Sequence, residues 1–313
     1  MTTVAVVGEV IVDKVINGDS TTTVLGGSAA NTALAIVRCG SRADLRARFG
    51  SDEAGQFLKS QCIEFGIDVS NAVDAPEPAT VVEATIDTAG VPQYKFFMDG
   101  TADWQWTSQE ISKPLSTDTK AIVVGSYASI VDSAFKVQFD WVQRQRAKGV
   151  LFFYDPNVRP TAINQKNFAD EARERINQWV RIADVVKVSD EDLQWLDPTM
   201  SPQESAAQWS TIGPKYVVLT AGPEGATVYQ HGQCVGQVSA PKVTVVDTVG
   251  AGDTFMAWLV CGFAELSPAD RAHPEGILRI VRTATIASAA TCTRAGCNPP
   301  TQAEITALLP ETP

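Results

Sequence analysis

No apolar run in these 313 residues approaches the length needed to cross a bilayer, and no basic region precedes the first strand-like segment. A soluble, cytoplasmic protein is expected. Basic residues are in the minority, 25 against 36 acidic for a net charge of −11, which argues against nucleic acid or an anionic membrane as partner. The cysteines (Cys39, Cys62, Cys234, Cys261, Cys292 and Cys297) lack Cys-x-x-Cys spacing, so they read as reduced packing thiols rather than zinc ligands. Only Cys292 and Cys297 are near enough in sequence to suggest a redox pair. There is no Gly-x-x-x-x-Gly-Lys-Ser/Thr run, which argues against a P-loop. No Gly-x-Gly-x-x-Gly follows the first strand, which argues against a dinucleotide-dependent oxidoreductase. Internal repeats and low-complexity tracts are absent as well. The remaining composition, 44% hydrophobic, suits one large α/β domain with a small appendage.

The chain is organised around Asp247-Thr248-Val249-Gly250-Ala251-Gly252-Asp253-Thr254-Phe255. The β-branched run 242–246 before it predicts a strand, and the apolar run from Phe255 to Phe263 predicts a buried helix. A Gly-Ala-Gly turn between them leaves free N–H groups at the positive end of a helix, which makes an anion site. A carboxylate there, Asp253, either caps the helix or serves as a general base. As a base it would take a hydroxyl proton while the neighbouring amides hold charge on a transferring phosphoryl group.

Upstream and downstream, strand and helix patterns alternate. A buried-type strand at 3–8 continues through Glu9 to Asp13, and paired glycines at Gly26 and Gly27 open an Ala-rich helix carrying Asn31 in its first turns. Residues 43–49 and the helix ending at Gly66 form the next unit. Residues 80–87 alternate with period two, 88–92 turn and 93–98 return, so a half-exposed hairpin is expected. Strands follow at 121–125, 150–155, 185–188 and 216–219. The intervening helices are 132–148, 166–181 and 190–196, and a final hairpin covers 226–229 and 234–238. This order implies a mostly parallel sheet with helices on both faces and ligands at the strand C-terminal ends. Tyr154-Asp155-Pro156-Asn157-Val158-Arg159-Pro160, Lys187-Val188-Ser189-Asp190-Glu191-Asp192 and Thr220-Ala221-Gly222-Pro223-Glu224-Gly225 all fall at such ends.

The nonapeptide closely resembles the second signature of the ribokinase/PfkB family of carbohydrate kinases, and Gly26-Gly27-Ser28-Ala29-Ala30-Asn31 is similar to the family's N-terminal sugar-site run. The resemblance spans residues 4 to about 300. It implies a ribokinase-like α/β fold, with residues 1–12, 25–78 and 104–313 in the main domain and 13–24 and 79–103 in a β lid that can pair two subunits. It implies Asp253 as base with Gly250, Ala251 and Gly252 as anion hole. Sugar ligands would be Asp13, Gly26, Gly27, Asn31, Asn157 and Arg159. Lys187, Ser189, Thr220, Gly222 and Gly225 would contact ATP. Asp192 would hold Mg2+ through water, and Asp247, Val249 and Gly296 would take K+. The family's Asn-x-x-Glu is here Ser189-x-x-Asp192, and Pro300 stands where some relatives supply a hydroxyl. The Asp-Pro-Asn-x-Arg-Pro form is most similar to fructokinases, so D-fructose is the expected sugar, ahead of ribose, 2-keto-3-deoxygluconate or a nucleoside. A non-catalytic sugar sensor on the same fold is the alternative of another kind.

Overall fold

The computed structural model describes residues 2–17, 20–86 and 92–308. In chain order the first elements are β1 (Thr3–Val7), β2 (Ile11–Asn17), β3 (Ser20–Gly26), α1 (Ser28–Arg38), β4 (Arg42–Arg46), β5 (Arg48–Phe49), α2 (Glu53–Glu64) and β6 (Val73–Asp74). The hairpin strands β7 (Val81–Ile86) and β8 (Pro92–Phe97) follow, then α3 (Ser108–Ile111), β9 (Thr119–Gly125), α4 (Asp132–Arg146) and β10 (Leu151–Asp155). Next come α5 (Pro160–Lys166), α6 (Ala169–Ile182), β11 (Val185–Ser189), α7 (Asp190–Leu196), α8 (Pro202–Trp209) and β12 (Tyr216–Thr220). The last are β13 (Ala226–Gln230), β14 (Gln233–Val238), α9 (Ala251–Glu265), α10 (Pro268–Ala272), α11 (Pro274–Cys292) and α12 (Gln302–Leu308).

Eight strands form the main sheet in the order β14-β13-β12-β11-β10-β9-β1-β4. The β12–β13 and β13–β14 pairs are antiparallel and the others parallel. Its parallel strands are buried on both faces because helices cover each side, which explains their Val/Ile-rich, non-alternating sequences. One core layer contains α1, α9 and α11 residues such as Ala33, Leu259 and Ile277, and the other is aromatic, built around Trp141, Tyr154 and Trp179. Among the described residues no helix is long and apolar enough to cross a membrane.

A second sheet, β3-β2-β7-β8, stands apart. Its first strand begins at Ile11 and its second ends at Gly26, so it takes in slightly more chain than residues 13–24. The expected turn at 88–91 lies outside the described residues. Pairing register puts Asp13, Val15, Val24, Val82 and Ala84 on one face, and Lys14, Thr23 and Glu83 on the other.

Three expectations are corrected. Residues 242–246 form no strand: Val245 and Val246 are 59% and 62% exposed, and the N–H groups of Val246 and Asp247 both donate to the Cys292 carbonyl. Valine's strand preference is a fit to a half-buried pleated surface, and this segment lies beyond the sheet edge. The helix expected over 166–181 begins only at Ala169, after a separate helix α5 that ends at Asn167 in the left-handed conformation (φ 54°) that asparagine tolerates. Helix α9 starts at Ala251 rather than Phe255, so Asp253 lies within its first turn. The short helices α8 and α10 carry too few apolar positions to have been visible as periods.

The chain passes between the two sheets at 8–10 and again near 98–103. The Val10 N–H donates to Asp103 Oδ1 at 2.9 Å, and the Thr80 and Thr101 hydroxyls lie 2.6 Å apart. Burial, reinforced by the nearby Glu9 carboxyl, pushes Asp103 up to about 7 despite donation from Thr80 and Val10. The carboxyl is thus neutral in the fold at pH values where it ionises in the unfolded chain, so its share of stability is present below about 4 and lost as pH rises to about 7. Asp103→Asn is expected to flatten that fall, measured by urea unfolding between pH 4.5 and 7.5; an unchanged slope would show that Asp103 is not the group responsible.

Candidate active site

The site is assembled at the C-terminal ends of the main strands, where two helix starts meet. Gly27 precedes α1 with φ 96°, and a Cβ there would lie 2.4 Å from the Glu9 carbonyl; Gly250 precedes α9 with φ 75°. Both positions need glycine, and both aim a first helical turn into the cleft. Ser28 Oγ donates to Asp253 Oδ1 at 2.6 Å and Asn31 Nδ2 to Oδ2 at 3.0 Å. Asn157 Nδ2 donates to Ser28 Oγ at 3.0 Å. The Asp253 carboxylate is therefore fixed by two side chains from α1. Ala251 and Val249 use their N–H groups on the Thr248 carbonyl and Asp247 Oδ1. The N–H groups of Gly250, Gly252 and Asp253 have no partner among the described residues, so relative to the Gly-Ala-Gly reading Ala251 leaves the set of free donors and Asp253 joins it.

On the side of the small sheet, Asp13 packs against Gly26, where a Cβ would come within 2.1 Å of Oδ2. Burial pushes Asp13 up to about 6, and the Arg159 guanidinium opposes that shift. Arg159 is otherwise exposed. At the adjoining ends of β9 and β10, Ser126 and Asn157 hold φ of 55° and 39°, values that residues with side chains seldom adopt. Glu9, buried behind them, accepts from the Ala128 N–H at 3.2 Å.

On the opposite side Lys187 is buried and donates to Asp155 Oδ2 at 3.0 Å. A Cβ on Gly252 would lie 3.1 Å from its Nζ, so the ammonium sits directly under the helix start. Burial works against the charge, but Asp155, Asp192 and Asp253 outweigh it and hold the lysine above its usual range. Burial likewise pushes Asp155 up to about 6 against the pull of Lys187. Asp192 accepts from the Val158 N–H at 2.8 Å, tying α7 to the Asp-Pro-Asn turn, and forms a reciprocal capping box with Ser189. Ser189 is thus engaged as a helix cap. It pairs in register with Thr220, beyond which Gly222 and Gly225 shape an exposed loop with φ of 46° and 97°. Asp247 joins two loops, accepting from the Val249 N–H at 3.0 Å and from the Gly296 N–H at 2.8 Å.

Contacts thus join Ser28, Asn31, Asn157 and Asp253 in one group and Lys187, Asp155 and Asp192 in another beneath Gly252. Asp13 and Gly26 lie together on the small-sheet side, Thr220, Gly222 and Gly225 follow from the β11–β12 register, and Asp247, Val249 and Gly296 form a separate loop junction. Sequence reading missed Ser28, Asp155 and Glu9 as site residues. Ser28 and Asp155 stood inside recognised runs, but spacing alone does not reveal which hydroxyl reaches a carboxylate from another helix. One Asp155 oxygen, Oδ1, is buried without a partner. Asp192 is near and Lys187 is the one cation among the three carboxylates, but no group of three or more His, Cys, Asp or Glu side chains among the described residues is arranged to hold a metal ion directly.

Residues 1–304 match the family model described as pfkB family carbohydrate kinase. Together with this fold and cleft, the match defines an ATP-dependent carbohydrate kinase. A fructokinase of Rhizobium leguminosarum bv. trifolii is 33% identical over 235 residues, covering 75% of this chain and 70% of that one. Fructokinase-1 of Oryza sativa subsp. japonica is 28% identical over 289 residues, covering 91% and 88%. A Vibrio cholerae O395 fructokinase double mutant, solved with fructose, ADP and potassium ion bound, superposes with a TM-score of 0.84 at 25% identity over 99% of each chain. The ATP-bound fructokinase structure from Xylella fastidiosa, at 24% identity, shares the fold with a TM-score of 0.86 over 98% and 97%. The chain belongs to the pfkB family of carbohydrate kinases.

Gly250 also touches Cys297: a Cβ would lie 2.3 Å from its Sγ. Gly250→Ala is expected to lower stability by about 1–3 kcal/mol through its left-handed backbone, with the clash added. Adding Cys297→Ala should recover only part of the loss. Urea unfolding of the single and double variants checks this, and full recovery would assign the whole effect to the thiol contact.

Proposed function

We propose that the enzyme transfers the γ-phosphoryl group of ATP to the primary 6-hydroxyl of D-fructose, with Asp253 as general base. The observation that carries the base assignment is its fixed carboxylate beside three unengaged N–H groups at the start of α9. Ser28 and Asn31 orient that carboxylate; it accepts the hydroxyl proton as the sugar oxygen bonds to the γ-phosphorus and the bond to the ADP oxygen breaks. Gly250, Gly252 and Asp253 N–H groups, with the helix dipole and the Lys187 charge, stabilise the phosphoryl oxygens in transit. Asp13, Gly26, Gly27, Asn31, Asn157 and Arg159 would bind the sugar, and the 220–225 loop with Ser189 and Lys187 the nucleotide. Magnesium, held through water by Asp192 with Asp155, would neutralise the ATP phosphates. Asp247, Val249 and Gly296 would take a monovalent cation at the joined loops; the Vibrio fructokinase was solved with a potassium ion bound.

Fructose is favoured by the 155–160 run and by the relatives' activity. We further propose that the small sheet is a lid, comprising 13–24 and 79–103, that closes on the sugar. Its face bearing Asp13 exposes Val15 (38%) and Val24 (42%), which supports homodimer pairing through two such faces. The cytoplasm is its proposed location.

ADP release with magnesium and ATP is expected to be dominated by fructose over ribose, 2-keto-3-deoxygluconate and adenosine; dominance by another of these would replace the substrate while leaving the kinase. Asp253→Asn is expected to lower kcat roughly 10²–10⁴-fold with sugar affinity, by calorimetry, within a few-fold of wild type. Full turnover in that variant would remove Asp253 as base, and absence of turnover in the wild type with intact sugar binding would favour a sensor.

A further inference from the structure

At the end of the main sheet opposite the cleft, a groove of about 850 Å³ opens between the segment entering β9, the turn from α4 to β10, and the C-terminus of α9. Lys113, Lys120, Lys148 and Arg271 line it, against the single acid Glu265. None of the four cations has a carboxylate within ion-pair distance among the described residues. That is unusual placement in a chain with 36 acids and a net charge of −11.

Two of the cations are held in place by backbone. Lys113 Nζ donates to the carbonyls of Asn71 and Ala72 at 3.4 and 2.9 Å. Arg271 donates from Nε to the Phe263 carbonyl at 3.1 Å and from Nη2 to Ala264 at 2.7 Å. Those carbonyls close α9, so the guanidinium is anchored across the helix end. Lys120 and Lys148 are exposed at the rim, and Lys148 reaches only the Gln145 amide oxygen, at 3.5 Å. The nearby acids are engaged elsewhere: Glu265 accepts the Thr2 hydroxyl, and Asp118 accepts from Ser116 with Arg42 beside it.

We propose that this groove is a second ligand site, separate from the catalytic cleft, for a small molecule carrying two or more phosphate charges. Its volume lies in the range of small-molecule sites, roughly 300–1,000 Å³. Four cations without a carboxylate partner, two of them fixed by backbone carbonyls, focus positive potential around a concave surface. An extended polyanion such as nucleic acid would meet the surrounding negative surface, whereas a compact one meets the groove alone. The site neither borders the cleft nor shares a residue with it; the length of α9, roughly 22 Å at 1.5 Å per residue, separates Arg271 from the anion-binding helix start.

The test is calorimetric titration with inorganic pyrophosphate, on protein whose nucleotide site is kept filled by saturating ADP. The wild type is expected to bind pyrophosphate, and the Lys120→Glu/Lys148→Glu variant at least tenfold more weakly, with sugar-kinase turnover in the absence of pyrophosphate within twofold of wild type. No pyrophosphate binding by the ADP-saturated wild type, or equal affinity in the variant, overturns the proposal. Binding is read directly, so the result stands apart from which sugar the enzyme phosphorylates.

Discussion

Asp253 is held by Ser28 and Asn31 across a separation of more than two hundred residues in sequence, and this junction of two helix starts is the constraint on which the site depends. Everything around it serves to keep α1 and α9 in register. Small residues let the two helices approach closely: Ala29, Ala30 and Ala33 on one side, Ala257 on the other, all buried. The parallel sheet below sets the depth of both helices, and Thr291 ties α11 to α9 through its hydrogen bond with Thr254. The left-handed glycines at each start then allow the chain to leave a loop and enter a helix within one residue, which places N–H groups rather than side chains at the reacting position.

A second constraint is electrostatic. Lys187 is the sole buried cation among Asp155, Asp192 and Asp253, and it stands under the one backbone position, Gly252, where no side chain can shield it. A buried lysine is tolerable only because it is paired, and the acids around it are tolerable only because it is there. The excess of carboxylates over cations is eased by hydrogen bonds from Ser28 and Asn31 to Asp253 and from the Val158 N–H to Asp192.

Much of this was legible in sequence because it rests on local chemistry. Glycine pairs before alanine-rich runs, the Gly-Ala-Gly-Asp turn and the prolines around Asn157 each announce a backbone shape, and the alternation of buried strands with helices implies a mostly parallel sheet, though not its strand order. What sequence could not show was non-local. The β-branched run 242–246 looks like a strand, yet no sheet edge is offered to it, and only the fold decides that. The Ser28 hydroxyl was hidden because its partner lies on another helix. Asp103 carries no signal in sequence, and only its burial and its bond to the Val10 N–H reveal it as a stitch between the sheets. Lys113 and Arg271 are unremarkable in sequence, since nothing along the chain tells that they face one groove.

The strained backbone at Ser126 and Asn157 has a kinetic side. Both residues stand at adjacent ends of rigid central strands, with their conformations imposed by the hydrogen-bonded core around them, so that wall of the cleft has its final shape before any sugar arrives. The small sheet is joined to the main body by four short crossings, at 8–10, 27, 75–80 and 98–101. If it is the lid proposed above, the preformed wall would set which molecules fit and the swing of the small sheet how long a bound one stays, so that selectivity and residence time would be lodged in different parts of the molecule.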